Sequence, residues 1–142
     1  MIVKIKKLAE EAVIPQYSKD GDAGLDLVAI YKNIVNEADH GYIEYDTGIS
    51  LEIPPGYVGL IFPRGSISNT GMILANHVGV SDPNYRGSIK CRFKWIPDTK
   101  MYEVGDKIAQ LIILPYPIIE FEEVNELSET ERNDKAFGSS GN

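Results

Sequence analysis

The stretch "GYIEYDTGISLEIPPGYVGLIF", residues 41–62, decides the fold class of this chain. It is built from short runs of β-branched and aromatic residues, and the turn signal "PPG" at residues 54–56 separates two of them. Little of the chain shows sustained helical periodicity, so short strands joined by tight turns are predicted here.

Runs of the same kind recur along the chain and predict an all-β sandwich or barrel. "LAEEA", residues 8–12, predicts one short helix. The proline-rich "LPYPII", residues 114–119, favours an extended edge or crossover, because proline cannot donate to a strand ladder. The predicted strands are "IVKIKKL" (2–8), "LDLVAI" (25–30), "GYIEYDTGISLEI" (41–53), "YVGLIF" (57–62), "GMILA" (71–75), "VGVSD" (78–82), "GSIKCRFKW" (87–95), "KIAQLIILPY" (107–116) and "IIEFEEV" (118–124).

Length and composition indicate one globular domain. The chain has 142 residues, of which 43% are hydrophobic and 25% charged. The single cysteine, Cys91, excludes an intramolecular disulfide and is expected to be a buried, inert thiol. Since no long apolar run resembles a signal peptide or membrane span, we expect a cytoplasmic protein without a membrane partner.

The charge balance argues against a protein that coats nucleic acid. The 21 acidic residues outnumber the 14 basic ones, for a net charge of −7 at pH 7. Such a chain repels a phosphate backbone, so any phosphate must be bound at a local site.

Two short motifs could form such a site. In "DAGLDL", residues 22–27, a small Ala-Gly pair precedes Asp26, which could hold a hydrated cation. In "PRGSIS", residues 63–68, Arg64 offers a fork of donors for phosphate, while Gly65 and Ser66 offer backbone N–H groups and a hydroxyl. Each motif taken alone is also explained by an ordinary surface turn.

The stretch "ANHVGVSDPNYRG", residues 75–87, is more informative. Asn76 carries a donor and an acceptor, enough to read one edge of a pyrimidine. Asp82 could activate a water molecule, and the ring of Tyr85 could form a surface for a sugar. The alternative, a hairpin with an Asp-Pro-Asn turn, leaves Asn76 without a role.

These motifs carry a family resemblance. Together with "GDKIAQL" (105–111) and "RNDKAFGSSG" (132–141), they occur in the order typical of the homotrimeric dUTP pyrophosphatase (dUTPase) family, which this chain resembles from Asp22 to its C-terminus. The resemblance implies a jelly-roll-like β domain over residues 1–131 and a flexible, mobile C-terminal lid over residues 132–142. In the family, the lid closes over a neighbouring subunit's site.

The resemblance also implies a reaction, hydrolysis of dUTP to dUMP and pyrophosphate. Asp82 would activate water for attack on the α-phosphate, and Asp26 would hold Asp82 or the waters bound to Mg²⁺. Asn76 would contact uracil and Tyr85 would pack under deoxyribose. The implied phosphate contacts are Arg64, Gly65, Ser66 and Gln110, and the lid would add Arg132, Ser139 and Ser140 on phosphate and Phe137 over the base.

The chain departs from the family pattern at two places. Gly65 stands where the second segment usually has a serine, so one phosphate-contacting hydroxyl is missing and lower turnover is expected. The lid has Asn133, Lys135 and Ala136 where glycines are usual, so stiffer closure is expected.

Three alternatives stay open at this point. A dCTP deaminase shares the fold and the third segment but needs a glutamate on the next strand, and "GSIKCRFKW" has no carboxylate. A non-catalytic nucleotide-binding protein would not need Asp82. A structural jelly roll, such as a capsid module, would not bind triphosphate.

Overall fold

The computed structural model of the chain describes residues 1–37 and 40–134, and in these ranges it contains ten β-strands and one short 3₁₀ helix. The all-β prediction is therefore confirmed. In chain order the elements are β1 (Lys4–Lys7), β2 (Leu25–Val28), β3 (Tyr31–Val35), β4 (Tyr42–Asp46), β5 (Ile49–Glu52), β6 (Tyr57–Pro63), the 3₁₀ helix (Gly65–Asn69), β7 (Met72–Leu74), β8 (Gly79–Ser81), β9 (Lys90–Trp95) and β10 (Lys107–Pro115).

The strands form two four-stranded sheets and one two-stranded ribbon. The first sheet has the order β2-β10-β6-β8 and the second the order β3-β4-β9-β7, while β1 pairs with β5. Neighbouring strands run antiparallel. Side chains from both sheets join a single buried cluster, so the core lies between them.

Apolar and polar residues alternate along β4 and β9, and the apolar ones form the centre of this core. Ile43 and Tyr45 of β4 and Phe93 of β9 are fully buried, with polar residues between them facing outward. The Tyr45 and Phe93 rings meet edge to face, with centroids 5.6 Å apart. The Tyr45 hydroxyl donates to the Tyr102 carbonyl oxygen at 2.7 Å, which ties the core to the segment before β10.

Three local predictions were wrong, and one strand was missed. The run 41–53, predicted as one strand, forms two, β4 and β5, because the chain turns at Gly48, whose φ is 64°. β3 was not predicted, because Lys32 and Asn33 interrupt its apolar pattern and it is defined by pairing with β4. Residues 118–124 form no strand, and Ile118 and Phe121 are 90% and 93% exposed. "LAEEA" forms turns rather than a helix.

Other predictions hold. The strand predicted over residues 107–116 is β10, which lies between β2 and β6 in its sheet. It ends at Pro115, and there the chain leaves the ladder. Cys91 is buried, and burial raises the pKa of its thiol to about 12, so the thiol is inert at neutral pH. Across the described ranges, no helix combines the length and apolar character needed to cross a membrane.

Candidate active site

The first group of predicted residues lies where three neighbouring strands meet. Asp26 of β2 is paired with Gln110 of β10, which is paired in turn with Phe62 of β6. Arg64 follows the end of β6 directly. Because neighbouring strands lie about 4.8 Å apart, the motifs around residues 26, 64 and 110 come together although they are distant in sequence.

Asp26 is the centre of this group and is only 8% exposed. Its Oδ1 accepts a hydrogen bond from Arg64 Nε at 2.7 Å, and its Oδ2 lies 2.8 Å from Lys107 Nζ and 2.7 Å from Ser18 Oγ. Burial alone would raise the pKa of Asp26, but the hydrogen bonds from Lys107 and Ser18 and the charge of Arg64 lower it below its usual value. Asp26 is therefore ionised at neutral pH and fixes the position of Arg64.

Gly24 leaves the space that the Gln110 side chain occupies. The Gln110 side chain donates to the Pro63 carbonyl oxygen at 2.9 Å. A Cβ on Gly24 would lie 2.2 Å from Gln110 Oε1, far inside van der Waals contact. The small residue of "DAGLDL" thus makes room for a side chain of another motif.

Most of the "PRGSIS" segment lies in the 3₁₀ helix Gly65–Asn69, which follows β6 and Arg64. Ser66 is hydrogen-bonded to the Tyr102 hydroxyl at 3.0 Å, and the Tyr102 ring packs edge to face on Phe93. The hydrophobic core thereby supports the loop. Arg64, Ser66 and Lys107 line an open, polar cavity of about 470 Å³.

The second group lies around β8. Asn76, Asp82 and Tyr85 line one cavity of about 210 Å³, and all three residues are exposed. The alternative hairpin with an Asp-Pro-Asn turn does not form, because β8 pairs with β6 and β7 pairs with β9. The turn that carries Asn76 therefore passes from one sheet to the other.

The two groups are separated within one chain. Ser81 is paired with Gly59 near the start of β6, whereas Arg64 follows the end of that strand. At about 3.3 Å per residue, the five steps from residue 59 to residue 64 cover about 16 Å. The two cavities share none of their lining residues.

The lid residues divide at the limit of the described chain. Arg132 is exposed and lies just before Asn133, whose left-handed φ of 45° is one that asparagine tolerates. Phe137, Ser139 and Ser140 lie outside the described residues.

Sequence reasoning missed two members of the first group. Lys107 lies within "GDKIAQL" but was given no role, and Ser18 lies upstream of "DAGLDL" in a loop without a recognisable spacing. Only the fold brings Ser18 and Lys107 to the same carboxylate oxygen, at 2.7 and 2.8 Å.

The donor set does not favour direct coordination of a metal by the protein. Among residues 1–37 and 40–134, no three His, Cys, Asp or Glu side chains are placed to hold an ion. Both oxygens of Asp26 already accept from Arg64, Lys107 or Ser18. A metal held mainly by its own phosphate and water ligands is compatible with this arrangement.

Comparison with known proteins identifies the family. The model of the dUTPase family matches residues 10–141. The chain is 38% identical to the deoxyuridine 5'-triphosphate nucleotidohydrolase of Corynebacterium glutamicum over 98% of its own length and 94% of that protein.

Solved structures agree with the sequence comparison. A mutant dUTPase of Staphylococcus bacteriophage 80alpha with dUpNHpp is 26% identical and superposes with a TM-score of 0.80 over 99% of this chain and 98% of that one. A mutant dUTPase of phage phi11 of S. aureus, described with a structural Mg(II) ion, shares the fold at 23% identity, with a TM-score of 0.72 over 89% of this chain and 98% of that one. The fold is therefore a jelly-roll-like β-sandwich, and the chain belongs to the dUTPase family.

Proposed function

We propose that this chain hydrolyses dUTP to dUMP and pyrophosphate, with Asp82 as the general base. A water oxygen forms a bond to the α-phosphorus while the bond from that phosphorus to the bridging oxygen breaks. The water proton passes to the Asp82 carboxylate, and pyrophosphate leaves. The observation that carries the proposal is the cavity shared by Asn76, Asp82 and Tyr85, which combines a base reader, a carboxylate and a flat ring.

In this proposal the same cavity selects the nucleoside. Asn76 hydrogen-bonds one edge of uracil, since its amide offers both a donor and an acceptor. The Tyr85 ring packs under the deoxyribose, where a ribose 2′-hydroxyl would collide with it.

The triphosphate is bound by the group around Asp26. Arg64 offers its guanidinium fork to phosphate oxygens, and Gly65, Ser66 and Gln110 add neutral donors. Asp26 positions Arg64 through the 2.7 Å hydrogen bond. Residues 132–142 form the lid, with Arg132, Ser139 and Ser140 on phosphate and Phe137 stacked on the base.

Mg²⁺ is the cofactor in this proposal and arrives on the triphosphate. When bound, it would neutralise phosphate charge and keep several of its own waters. Because the oxygens of Asp26 are engaged by Arg64, Lys107 and Ser18, any contact from Asp26 to the ion would run through water.

A complete site requires more than one copy of the chain. The attacking water must lie beside Asp82, yet Arg64 of the same chain follows the far end of β6, about 16 Å from Gly59, the partner of Ser81. We infer that Arg64 and Asp82 of one site come from different copies, and the family resemblance gives a homotrimer. Exposed apolar side chains beyond β10 support self-association, namely Tyr116, Ile118, Ile119, Phe121, Val124 and Leu127.

In the cell, this activity would limit uracil in DNA and supply dUMP for dTTP synthesis. A cytoplasmic enzyme, or one in the host-cell cytoplasm if a virus encodes it, would meet its substrate there. The net charge of −7 supports an enzyme that does not bind nucleic acid stably.

The proposal is tested by a panel of nucleotides. Pyrophosphate release is followed from dUTP, UTP, dTTP and dCTP, with ammonia release measured on dCTP. We expect rapid release from dUTP alone and no ammonia. Steady ammonia release from dCTP would favour the deaminase, and absence of any triphosphate turnover would favour a binding protein.

Gly65→Ser should raise kcat/KM for dUTP. A Cβ on Gly65 would meet no atom within 4 Å, so the serine fits without strain and returns a hydroxyl beside Arg64 and Ser66. One added hydrogen bond to a charged group, about 1.5–3 kcal/mol, predicts a gain of tenfold or more. Unchanged kcat/KM in steady-state assays would show that the missing hydroxyl is not limiting.

A further inference from the structure

The ring of Tyr85 lies directly against Gly87. The Tyr85 hydroxyl donates to the Ser88 carbonyl oxygen at 3.1 Å, which brings the ring back over the following residues. A Cβ on Gly87 would lie 2.2 Å from Tyr85 Oη and 2.5 Å from Cζ. Both distances are far below the 3.5–4.0 Å of a normal carbon contact, so the ring can occupy this position only beside glycine.

The backbone around Gly87 is held in place, so it cannot move away easily. Just before Gly87, the Arg86 carbonyl oxygen accepts from Ser50 Oγ at 2.7 Å. Just after it, the Ile89 N–H donates to the Ile49 carbonyl oxygen at 2.9 Å. Any side chain at position 87 would therefore displace the Tyr85 ring rather than the main chain.

Arg86 fixes the other end of the Tyr85 segment. Its Nη1 donates to the carbonyl oxygens of Pro83 at 2.5 Å and of Tyr85 at 3.0 Å. The main chain from Asp82 to Tyr85 is thus closed into a compact turn, and the Tyr85 N–H donates to the Asp82 carbonyl oxygen at 3.1 Å. With the main chain fixed, only rotation about the side-chain bonds of Tyr85 can change the position of its ring relative to Asp82.

We propose that Gly87 is a positioning residue for sugar specificity, which acts by letting the Tyr85 ring lie against the 87–88 backbone. The inference rests on the proposed function, because it assigns the ring to the sugar. In this position the ring closes the space that a ribose 2′-hydroxyl would need. With alanine at position 87 the ring swings outward, and that space opens.

The test compares kcat/KM for dUTP and for UTP in the wild type, Gly87→Ala and Gly41→Ala. A Cβ on Gly41 would make only ordinary contacts, 3.4 Å or longer, so this variant controls for a glycine-to-alanine change. We expect Gly87→Ala to lower the dUTP/UTP ratio by roughly tenfold or more, the size of one misfitted group in a pocket. The ratio in Gly41→Ala should equal that of the wild type.

A double-mutant cycle shows whether Gly87 acts through Tyr85. Leucine lacks the ring atoms that a Cβ at position 87 would strike, so in the Tyr85→Leu background Gly87→Ala should leave the ratio unchanged. An equal drop in both backgrounds would overturn the inference, as would an unchanged ratio in the single variant. A wild type that does not prefer dUTP would instead contradict the proposed function.

A second comparison applies if Gly87→Ala does not fold. If Gly87→Ala is insoluble, the double variant with Tyr85→Leu should be soluble, because the collision is gone, and insolubility of both would overturn the inference. Specificity is then measured in Tyr85→Leu, which lacks the ring that the inference places against the sugar. A lower dUTP/UTP ratio supports the inference, and an unchanged ratio overturns it.

Discussion

Asp82→Asn should lower kcat for dUTP hydrolysis by roughly 10²–10⁴-fold, the usual contribution of a general base. Asparagine keeps the size and hydrogen-bonding reach of the side chain, but its neutral amide cannot accept the water proton. Since Asp82 is exposed and lines the cavity around β8, the substitution should leave the fold intact. Steady-state pyrophosphate release measures the loss.

Binding separates catalysis from general damage. Titration calorimetry with dUpNHpp should give a Kd within a few-fold of the wild type, because Asn76, Tyr85 and the phosphate contacts remain. Asp98→Asn is the matched control, since Asp98 is exposed in a turn outside both cavities and its positive φ of 63° suits asparagine equally well. Full turnover in Asp82→Asn would remove this residue from the mechanism.

Arg64→Gln should lower kcat/KM by roughly 10²-fold, comparable to removing one donor that stabilises charge in a transition state. Glutamine can still donate to Asp26, so the cluster with Lys107 and Ser18 keeps a partner at each carboxylate oxygen. What is lost is the charge and the fork that the proposal assigns to phosphate binding. The midpoint of thermal unfolding should change little, while kcat/KM falls.

Arg92→Gln serves as the control for Arg64→Gln. Arg92 also forms an ion pair, with Glu44 at 2.8 Å, but it lies on β9 in the other sheet and lines neither cavity. Its replacement should leave kcat/KM unchanged. Equal losses in the two variants would mean that Arg64 matters for the fold rather than for phosphate.

Much of the fold could be predicted because alternation and turn residues act locally. β4, β9 and β10 fall within predicted runs and β6 exceeds its run by Pro63 alone, since each has apolar residues facing the core. β3 could not be predicted this way, because pairing with β4 rather than an apolar face defines it. Residues 118–124 have a strand pattern, but the chain itself offers them no partner in the described structure.

The site was predicted unevenly for a similar reason. Motifs with unusual residues, such as those around Arg64 and Asp82, stand out in sequence. Ser18 and Gly87 do not, because a serine in a loop and a glycine in a turn have many explanations. The role of Ser18 depends on its 2.7 Å hydrogen bond to Asp26. The role of Gly87 depends on the collision that a Cβ at this position would make with the Tyr85 ring. Only the folded chain reveals these two features.

If each site joins Arg64 of one copy to Asp82 of another, as proposed here, two inactive variants should restore activity when they assemble into mixed trimers. Asp82→Asn and Arg64→Gln chains are coexpressed with different tags, and assemblies carrying both tags are purified and sized by light scattering. In a cyclic trimer of either composition, one interface unites an intact Arg64 with an intact Asp82. A site shared between copies should therefore give about one third of the wild-type rate, although both parent variants are nearly inactive. Activity no higher than that of the parents would contradict it.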